Sequence, residues 1–345
     1  MSEELIEVRA EDSFDVGAVH AWLSQQVSGL VGPPNVEQFR SGASNLTYLL
    51  TYPDRELVLR RPPHGMKAIS AHDMKREALI QRSLRPYYPL VPTVIALCED
   101  PKIIGSVFYV MERINGIILR RDVPANVDLN PERTALLGQT VIDGLAQLHK
   151  VDAQILSELS KGPGYVSRQV EGWSKRYRGA LTDDVPDAEE LMSWLTTNQP
   201  DDVASCVIHG DWRLDNMVLD LSQSPRVVGV LDWELATVGD PLMDLGSALA
   251  YWVDSGDEPA FAALRRQPSH LPGMPTRKEF VSKYLDQTNW PFSDFTFYEV
   301  FGLFRLTVIL QQIWSRYRAG QTTNPAFAQF GSAVHVLINR AMELT

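Results

Sequence analysis

Val207-Ile208-His209-Gly210-Asp211-Trp212-Arg213-Leu214-Asp215-Asn216-Met217-Val218-Leu219-Asp220 is the stretch whose reading decides the fold. An apolar run delivers His-Gly-Asp, and Asn216 follows Asp211 by five positions. The chain turns at Ser222-Gln223-Ser224-Pro225 and returns as Val227-Val228-Gly229-Val230-Leu231-Asp232. Two short strands joined this way read as a hairpin, with Asn216 beginning one and Asp232 ending the other. Both then lie at the open end, beside the loop that bears Asp211. A carboxylate and an amide oxygen are hard ligands suited to Mg²⁺, which prefers a few protein ligands plus phosphate oxygens. A further carboxylate nearby can accept a proton from a hydroxyl nucleophile.

Outward from this core the two halves of the chain differ in character. Upstream, Thr47-Tyr48-Leu49-Leu50 and Glu56-Leu57-Val58-Leu59-Arg60 flank a Tyr52-Pro53-Asp54-Arg55 turn and predict a hairpin. A helix is expected from Asp15 to about Val27, and another from an N-cap at Ser70 through Met74, Glu77, Ala78, Gln81 and Leu84. Val107 to Glu112 reads as a strand closed by Asn115-Gly116. Beyond it, Asn130-Pro131 is a good helix start, and Leu137, Val141, Leu145 and Leu148 repeat at helical spacing toward His149. From Pro241 onward the pattern is mainly helical, with Phe297, Phe301, Phe304 and Val308 on one core-facing stripe. The coarse expectation is a β-rich lobe over 1–112 and a larger helical lobe over 113–345.

Composition bounds the function. The 345 residues include 44% apolar and 22% charged side chains, enough for sizeable cores. Thirty-two bases against 43 acids give a net charge of −11, so a global basic footprint for nucleic acid is missing. Cys98 and Cys206 stand far apart, with no CxxC or Cys/His cluster to suggest zinc or a disulfide framework. The acidic start lacks the features of a secretory signal, and no run approaches the ~20 apolar residues that span a bilayer. The expectation is a cytoplasmic chain with neither membrane nor nucleic acid as partner. Oligomeric state is not legible.

The frame His-Gly-Asp, Asn five positions on, then Asp232-Trp233-Glu234 resembles the protein-kinase catalytic loop and its later metal-binding Asp. Together with Gly239-Asp240-Pro241-Leu242-Met243-Asp244-Leu245 it is similar to the aminoglycoside phosphotransferase and choline kinase group of small-molecule kinases. Within that group it most resembles the kinase-like domain fused to acyl-CoA dehydrogenases. Upstream, Ser44-Asn45 lies in what resembles a degenerate nucleotide loop, Arg60 stands at the phosphate-contacting cation, and Glu77 at its helical partner. Phe108-Tyr109-Val110-Met111-Glu112 resembles the hinge that meets adenine through its backbone.

The resemblance implies an α+β, bilobal protein-kinase-like fold and an ATP- and Mg²⁺-dependent phosphotransferase. Its acceptor would be a hydroxyl of a small molecule such as a hydroxyacyl-CoA. It casts Asp211 as base, Asn216 and Asp232 as metal ligands, and Ser44, Asn45, Arg60, Glu77, Met111 and Glu112 as nucleotide contacts. Several alternatives stand open. Arg213 either reaches the transferring phosphate or forms a salt bridge within its loop. Strand alternation allows only one of Arg60 and Arg61 inward, Arg60 being favoured by its match to V-A-I-K. Asp215 and Asp220 read as solvent carboxylates at the hairpin ends. His149 reads as a hydrogen-bonded structural residue, Asp240 as a helix cap and Asp244 as a support for the loop. Competing readings are a nucleotide-binding module without turnover, motivated by Arg60 and Trp233, and an aminoglycoside kinase.

Overall fold

The computed structural model describes residues 5–40, 45–63, 73–291 and 294–345. Its elements begin with β1 (Leu5–Ile6), α1 (Val16–Leu23), β2 (Asn35–Phe39), β3 (Leu46–Thr51), β4 (Glu56–Arg61), α2 (Met74–Leu84), β5 (Val94–Cys98) and β6 (Phe108–Glu112). Helices α3 (Pro131–His149), α4 (Tyr165–Ala180) and α5 (Glu189–Thr197) follow. Then come the short strands β7 (Cys206–Ile208), β8 (Met217–Asp220), β9 (Arg226–Val230) and β10 (Thr237–Gly239). Helices α6 (Pro241–Leu249), α7 (Pro259–Ala262), α8 (Arg277–Thr288), α9 (Thr296–Arg318) and α10 (Phe330–Met342) end the chain.

Contacts group the chain into two units, the first comprising Met1–Ile117, Met217–Asp220 and Val227–Ala236. Its centre is a six-stranded antiparallel sheet in the order β1-β2-β3-β4-β6-β5. Successive side chains of a strand point to opposite faces, and both faces are covered. Tyr48, Leu50, Leu57, Leu59, Phe108 and Val110 pack with Val19 and Leu23 of α1. Val58, Tyr109 and Met111 pack with Met74 and Ala78 of α2 on the other side. The alternation puts Arg60 with Val58 on the α2 side and Arg61 with Leu57 and Leu59 on the opposite one.

Three sequence expectations change here. Ser70 lies outside the described residues, and α2 starts at Met74 with Asp73 as N-cap, its carboxylate accepting the Arg76 N–H at 2.9 Å. Helix α1 ends at Leu23, four residues before Val27. The strands β2 and β5 were not anticipated; β5 reads Val-Ile-Ala-Leu-Cys, a short apolar run without alternation that its register shift against β6 makes irregular.

The second unit comprises Ile118–Asn216, Leu221–Arg226 and Thr237–Thr345 and is mainly helical. Asn130 caps α3, and Asp240 caps α6 through the N–H groups of Leu242 and Met243. Strand β7 pairs antiparallel with β10, matching Val207 to Val238. Helices α6 and α9 touch backbone to backbone, because a Cβ at Gly302 would lie 2.1 Å from the Gly246 carbonyl oxygen. Phe297, Phe301, Phe304 and Val308 are buried along α9, as their spacing predicts. Both cysteines are free and buried. Among the described residues no helix is long and apolar enough to cross a membrane.

Candidate functional site

Strand β7 stops at Ile208 because the chain must turn at Gly210, whose φ of +81° suits glycine. Such a turn strands backbone polar groups, which need partners. Asp244, buried in α6, accepts the N–H groups of His209 and Gly210, both at 2.9 Å. Arg305 of α9 donates to the Gly210 carbonyl at 2.6 Å, and Gln267 accepts the Leu214 N–H at 2.8 Å. Asp244 also meets His149 Nε2 at 3.1 Å, while His149 Nδ1 meets the Tyr284 hydroxyl at 2.5 Å. Burial alone would raise the Asp244 carboxyl, but His149 and His209 hold it below the usual carboxylate range. His149 and Asp244 therefore brace the loop from behind.

Asp211 projects from this braced turn. Its Oδ2 accepts from Asn216 Nδ2 at 2.9 Å, and its Oδ1 lies 3.3 Å from Arg213 Nε. Asn216 Nδ2 also donates to the Asp211 carbonyl at 2.9 Å, so the amide hydrogens face Asp211 and Oδ1 is the atom with ligating capacity. Arg213 pairs with Asp215 Oδ2 at 3.1 Å and stands 4.5 Å over the Tyr251 ring. Of the two readings of Arg213, the loop salt bridge is the arrangement found. Asp215 is not the solvent carboxylate expected: it is half-buried against Arg213, and burial pushes its carboxyl up.

In the sheet unit, Arg60 donates from Nη1 to Glu77 Oε1 at 2.8 Å and from Nη2 to Asp232 Oδ1 at 3.0 Å. Burial would lower its guanidinium, but Glu77, Tyr109 and Asp232 hold it well above its ordinary value. Burial pushes the Glu77 carboxyl up against the opposing pull of Arg60. Arg61 does not face water: it is 1% exposed, donates to the Asp12 carbonyl at 3.0 Å and lies over the Phe14 and Tyr48 rings. Asp232 follows β9 with φ +65°, a left-handed backbone uncommon for a non-glycine residue. The buried Trp233 donates its indole N–H to the Val230 carbonyl at 2.8 Å.

The other expected nucleotide contacts lie in the same unit. Asn45 is buried and donates to Glu234 Oε2 at 2.9 Å, whereas Ser44 is outside the described residues. Met111 packs on the α2 face, paired in register with Val58 and Val94. Glu112 donates its N–H to the Thr93 carbonyl at 2.9 Å, and its carboxylate accepts the Thr93 N–H at 2.8 Å.

A sequence model of the "phosphotransferase enzyme family" matches residues 35–280, most of the chain, including Arg60, Glu77, Asp211, Asn216, Asp232 and Asp244 but not Arg305. The chain belongs to this family. The chain is 36% identical over 330 residues to mouse acyl-CoA dehydrogenase family member 10, a match covering 93% of the chain but 30% of that protein. It therefore spans about a third of the length of that relative. A solved Ralstonia eutropha JMP134 structure, described as a candidate aminoglycoside phosphotransferase, is 31% identical with a TM-score of 0.82, covering 96% of this chain and 98% of that one. Choline kinase from Cryptosporidium parvum shares the fold alone, at 13% identity and a TM-score of 0.63 over 96% and 95% of the two chains. The expected bilobal, kinase-like α+β fold is thereby established.

Among the described residues no three His, Cys, Asp or Glu side chains gather into a ready-made metal cluster. Asn216 Oδ1, left open because both amide hydrogens go to Asp211, is by its chemistry a hard oxygen of the kind that suits Mg²⁺. Sequence reasoning missed Arg76, Glu234, Gln267 and Arg305. Arg305 had a signal: it is a charged residue four positions after Phe301 on an apolar helix face. Arg76 adjoins Glu77 and Glu234 lies within the Asp232-Trp233-Glu234 motif, but neither position hinted at its partner, and Gln267 acts on a segment remote in sequence.

Proposed function

We propose that this phosphotransferase uses ATP and Mg²⁺ to phosphorylate a hydroxyl of a small molecule. The observation that carries the reading is the Asp211 carboxylate, held by Asn216 and Arg213 on a loop braced by Asp244 and Arg305. A fixed carboxylate of this kind orients a hydroxyl and takes its proton as the phosphoryl group arrives. Asn216 Oδ1 and Asp232 are the proposed Mg²⁺ ligands; the ion would neutralise charge on the phosphate oxygens. Arg60, held by Glu77, supplies positive charge for the nucleotide phosphates, and Ser44, Asn45 and the Met111-Glu112 stretch complete the nucleotide contacts. Arg213 trims the negative charge of the Asp211 loop. Such sites work chiefly by positioning and charge neutralisation.

For the acceptor we favour a neutral or anionic hydroxylated metabolite such as a hydroxyacyl-CoA. Support comes from the kinship with acyl-CoA dehydrogenase family member 10. From Pro241 to Thr345 acids and bases balance at nine each, which offers no excess of acid to attract a polycation. An aminoglycoside acceptor is the second reading, favoured by the Ralstonia structure. A cytoplasmic location belongs to the same proposal.

The test is an ADP-release screen with Mg²⁺-ATP across hydroxyacyl-CoAs, sugars, choline-like amines and aminoglycosides. Turnover of hydroxyacyl-CoAs is expected, and Asp211→Asn should lower it at least ~10²-fold while sparing ATP affinity. Efficient turnover of aminoglycosides alone would overturn the acceptor. Nucleotide binding with no turnover on any acceptor would favour the module that binds without transferring.

A further inference from the structure

Helix α2 meets the segment after Asp232 through two adjacent residues, and only one of them belongs to the ion pair described above. Glu77 reaches the Asp232 carboxylate through Arg60. Arg76 reaches the backbone directly: Nη1 donates to the Glu234 carbonyl at 2.6 Å and Nη2 to the Ala236 carbonyl at 2.5 Å. One carbonyl lies within, and the other directly after, a short 3₁₀ turn, Trp233–Leu235, that starts from the left-handed Asp232. A planar guanidinium with two parallel donors fixes the separation and the direction of two acceptors together, which a point charge cannot do.

We propose that Arg76 is a positioning residue for the cation site: its fork holds the 233–236 turn so that Asp232 keeps the backbone conformation from which its carboxylate meets both Arg60 and a cation. The inference rests on the reading of Asp232 as a Mg²⁺ ligand. Three features of the same unit support it. Asp232 occupies a backbone region that costs energy unless its surroundings impose it. Trp233 anchors the near end of the turn through the Val230 carbonyl and its edge-on contact with Tyr88, so the far end, at Glu234 to Ala236, is where an additional restraint acts. Arg76 is itself set by Asp73, whose side chain caps the helix on the Arg76 N–H. Position 76 thus couples the placement of α2 to the aim of the Asp232 carboxylate without touching the nucleotide, the cation or the acceptor.

The experiment measures Mn²⁺ binding by electron paramagnetic resonance in the presence of AMP-PNP, alongside turnover as a function of Mg²⁺ concentration. Wild-type chain is compared with Arg76→Ala, Arg76→Lys and the control Lys75→Ala. The control removes only an exposed pair with Glu99 from the same helix. Arg76→Ala is expected to raise the half-saturating metal concentration about 10-fold or more, by analogy with lost outer-shell support of metal ligands. Nucleotide affinity measured without metal should stay within about 2-fold, as Arg76 is not a nucleotide contact in the reading that assigns the metal role. Arg76→Lys, able to serve one carbonyl well, should fall between the two, and Lys75→Ala should match wild type. A lowered melting temperature with unchanged metal dependence in Arg76→Ala would reduce Arg76 to a fold contact and overturn the inference. If Arg76→Ala does not fold, Arg76→Lys decides by the same criterion. Failure of the wild-type chain to bind Mn²⁺ with AMP-PNP would instead overturn the reading on which the inference rests.

Discussion

Arg60 and Arg61 are neighbours in sequence with opposite employments. The first places one guanidinium nitrogen on each of two carboxylates, and the second lies between two aromatic rings and a carbonyl. Their different surroundings separate two experiments. Arg60→Ala should weaken Mg²⁺-ATP binding about 10-fold or more in a calorimetric titration, because Glu77 and Asp232 would lose their shared cation. Arg61→Ala should leave that titration unchanged and cost ~2 kcal/mol of unfolding free energy, about the worth of a desolvated cation–π contact. The reverse pattern would move the phosphate contact to Arg61. Sequence alone recognised that strand alternation sends the two side chains apart. It could not see that the second would also be buried, because Phe14, Asp12 and Tyr48 come to Arg61 through tertiary packing.

Between elements, the crossing of α6 and α9 decides how firmly the Asp211 loop is held. Asp244 rides on α6 and Arg305 on α9, and they grip the loop backbone at Gly210 through its N–H and its carbonyl. The separation of these grips is set where Gly246 and Gly302 let the two backbones meet. A methyl at either position would strike a carbonyl oxygen of the facing helix, which no side-chain rotation relieves. Gly302→Ala should therefore cost about 3 kcal/mol in chemical denaturation. It should also lower kcat of the folded fraction more than it weakens ATP binding. Equal loss of both, or of neither, would detach the crossing from the loop. The helices were legible from their 3.6-residue periodicity, and Asp240-Pro241 from its capping chemistry. The crossing was not, because a glycine inside a helix declares nothing about which partner approaches it.

Over the whole molecule, opposing carboxyl shifts shape stability against pH. Glu77, Asp215, Asp240 and Asp254 are raised, chiefly by burial. Their folded forms hold protons at pH values where the unfolded chain has released them, so their contribution grows as pH falls toward the unfolded value near 4. Asp244 and Asp257 are lowered despite burial by their hydrogen-bonded His and Arg partners. Their contribution is present above that value and is lost as pH falls through the folded one. The melting temperature should thus peak in mildly acidic solution and drop steeply below about pH 4. A monotonic rise from pH 4 to 8 would contradict the balance. At this scale composition conveyed least: a boundary drawn along the sequence cannot express a chain whose residues 217–220 and 227–236 return to the sheet unit.

The left-handed backbone at Asp232 has a consequence for anyone breeding a sturdier version of this protein. Glycine accepts that conformation without steric cost and asparagine accepts it more readily than most residues. A library screened only for heat resistance is therefore drawn toward Asp232→Gly and Asp232→Asn wherever the relieved backbone outweighs the lost pair with Arg60. Those winners would be the clones least able to hold a cation. On the proposed role of Asp232, stability and turnover pull in opposite directions at this position, and a selection that does not monitor both would enrich hardy proteins that have stopped working.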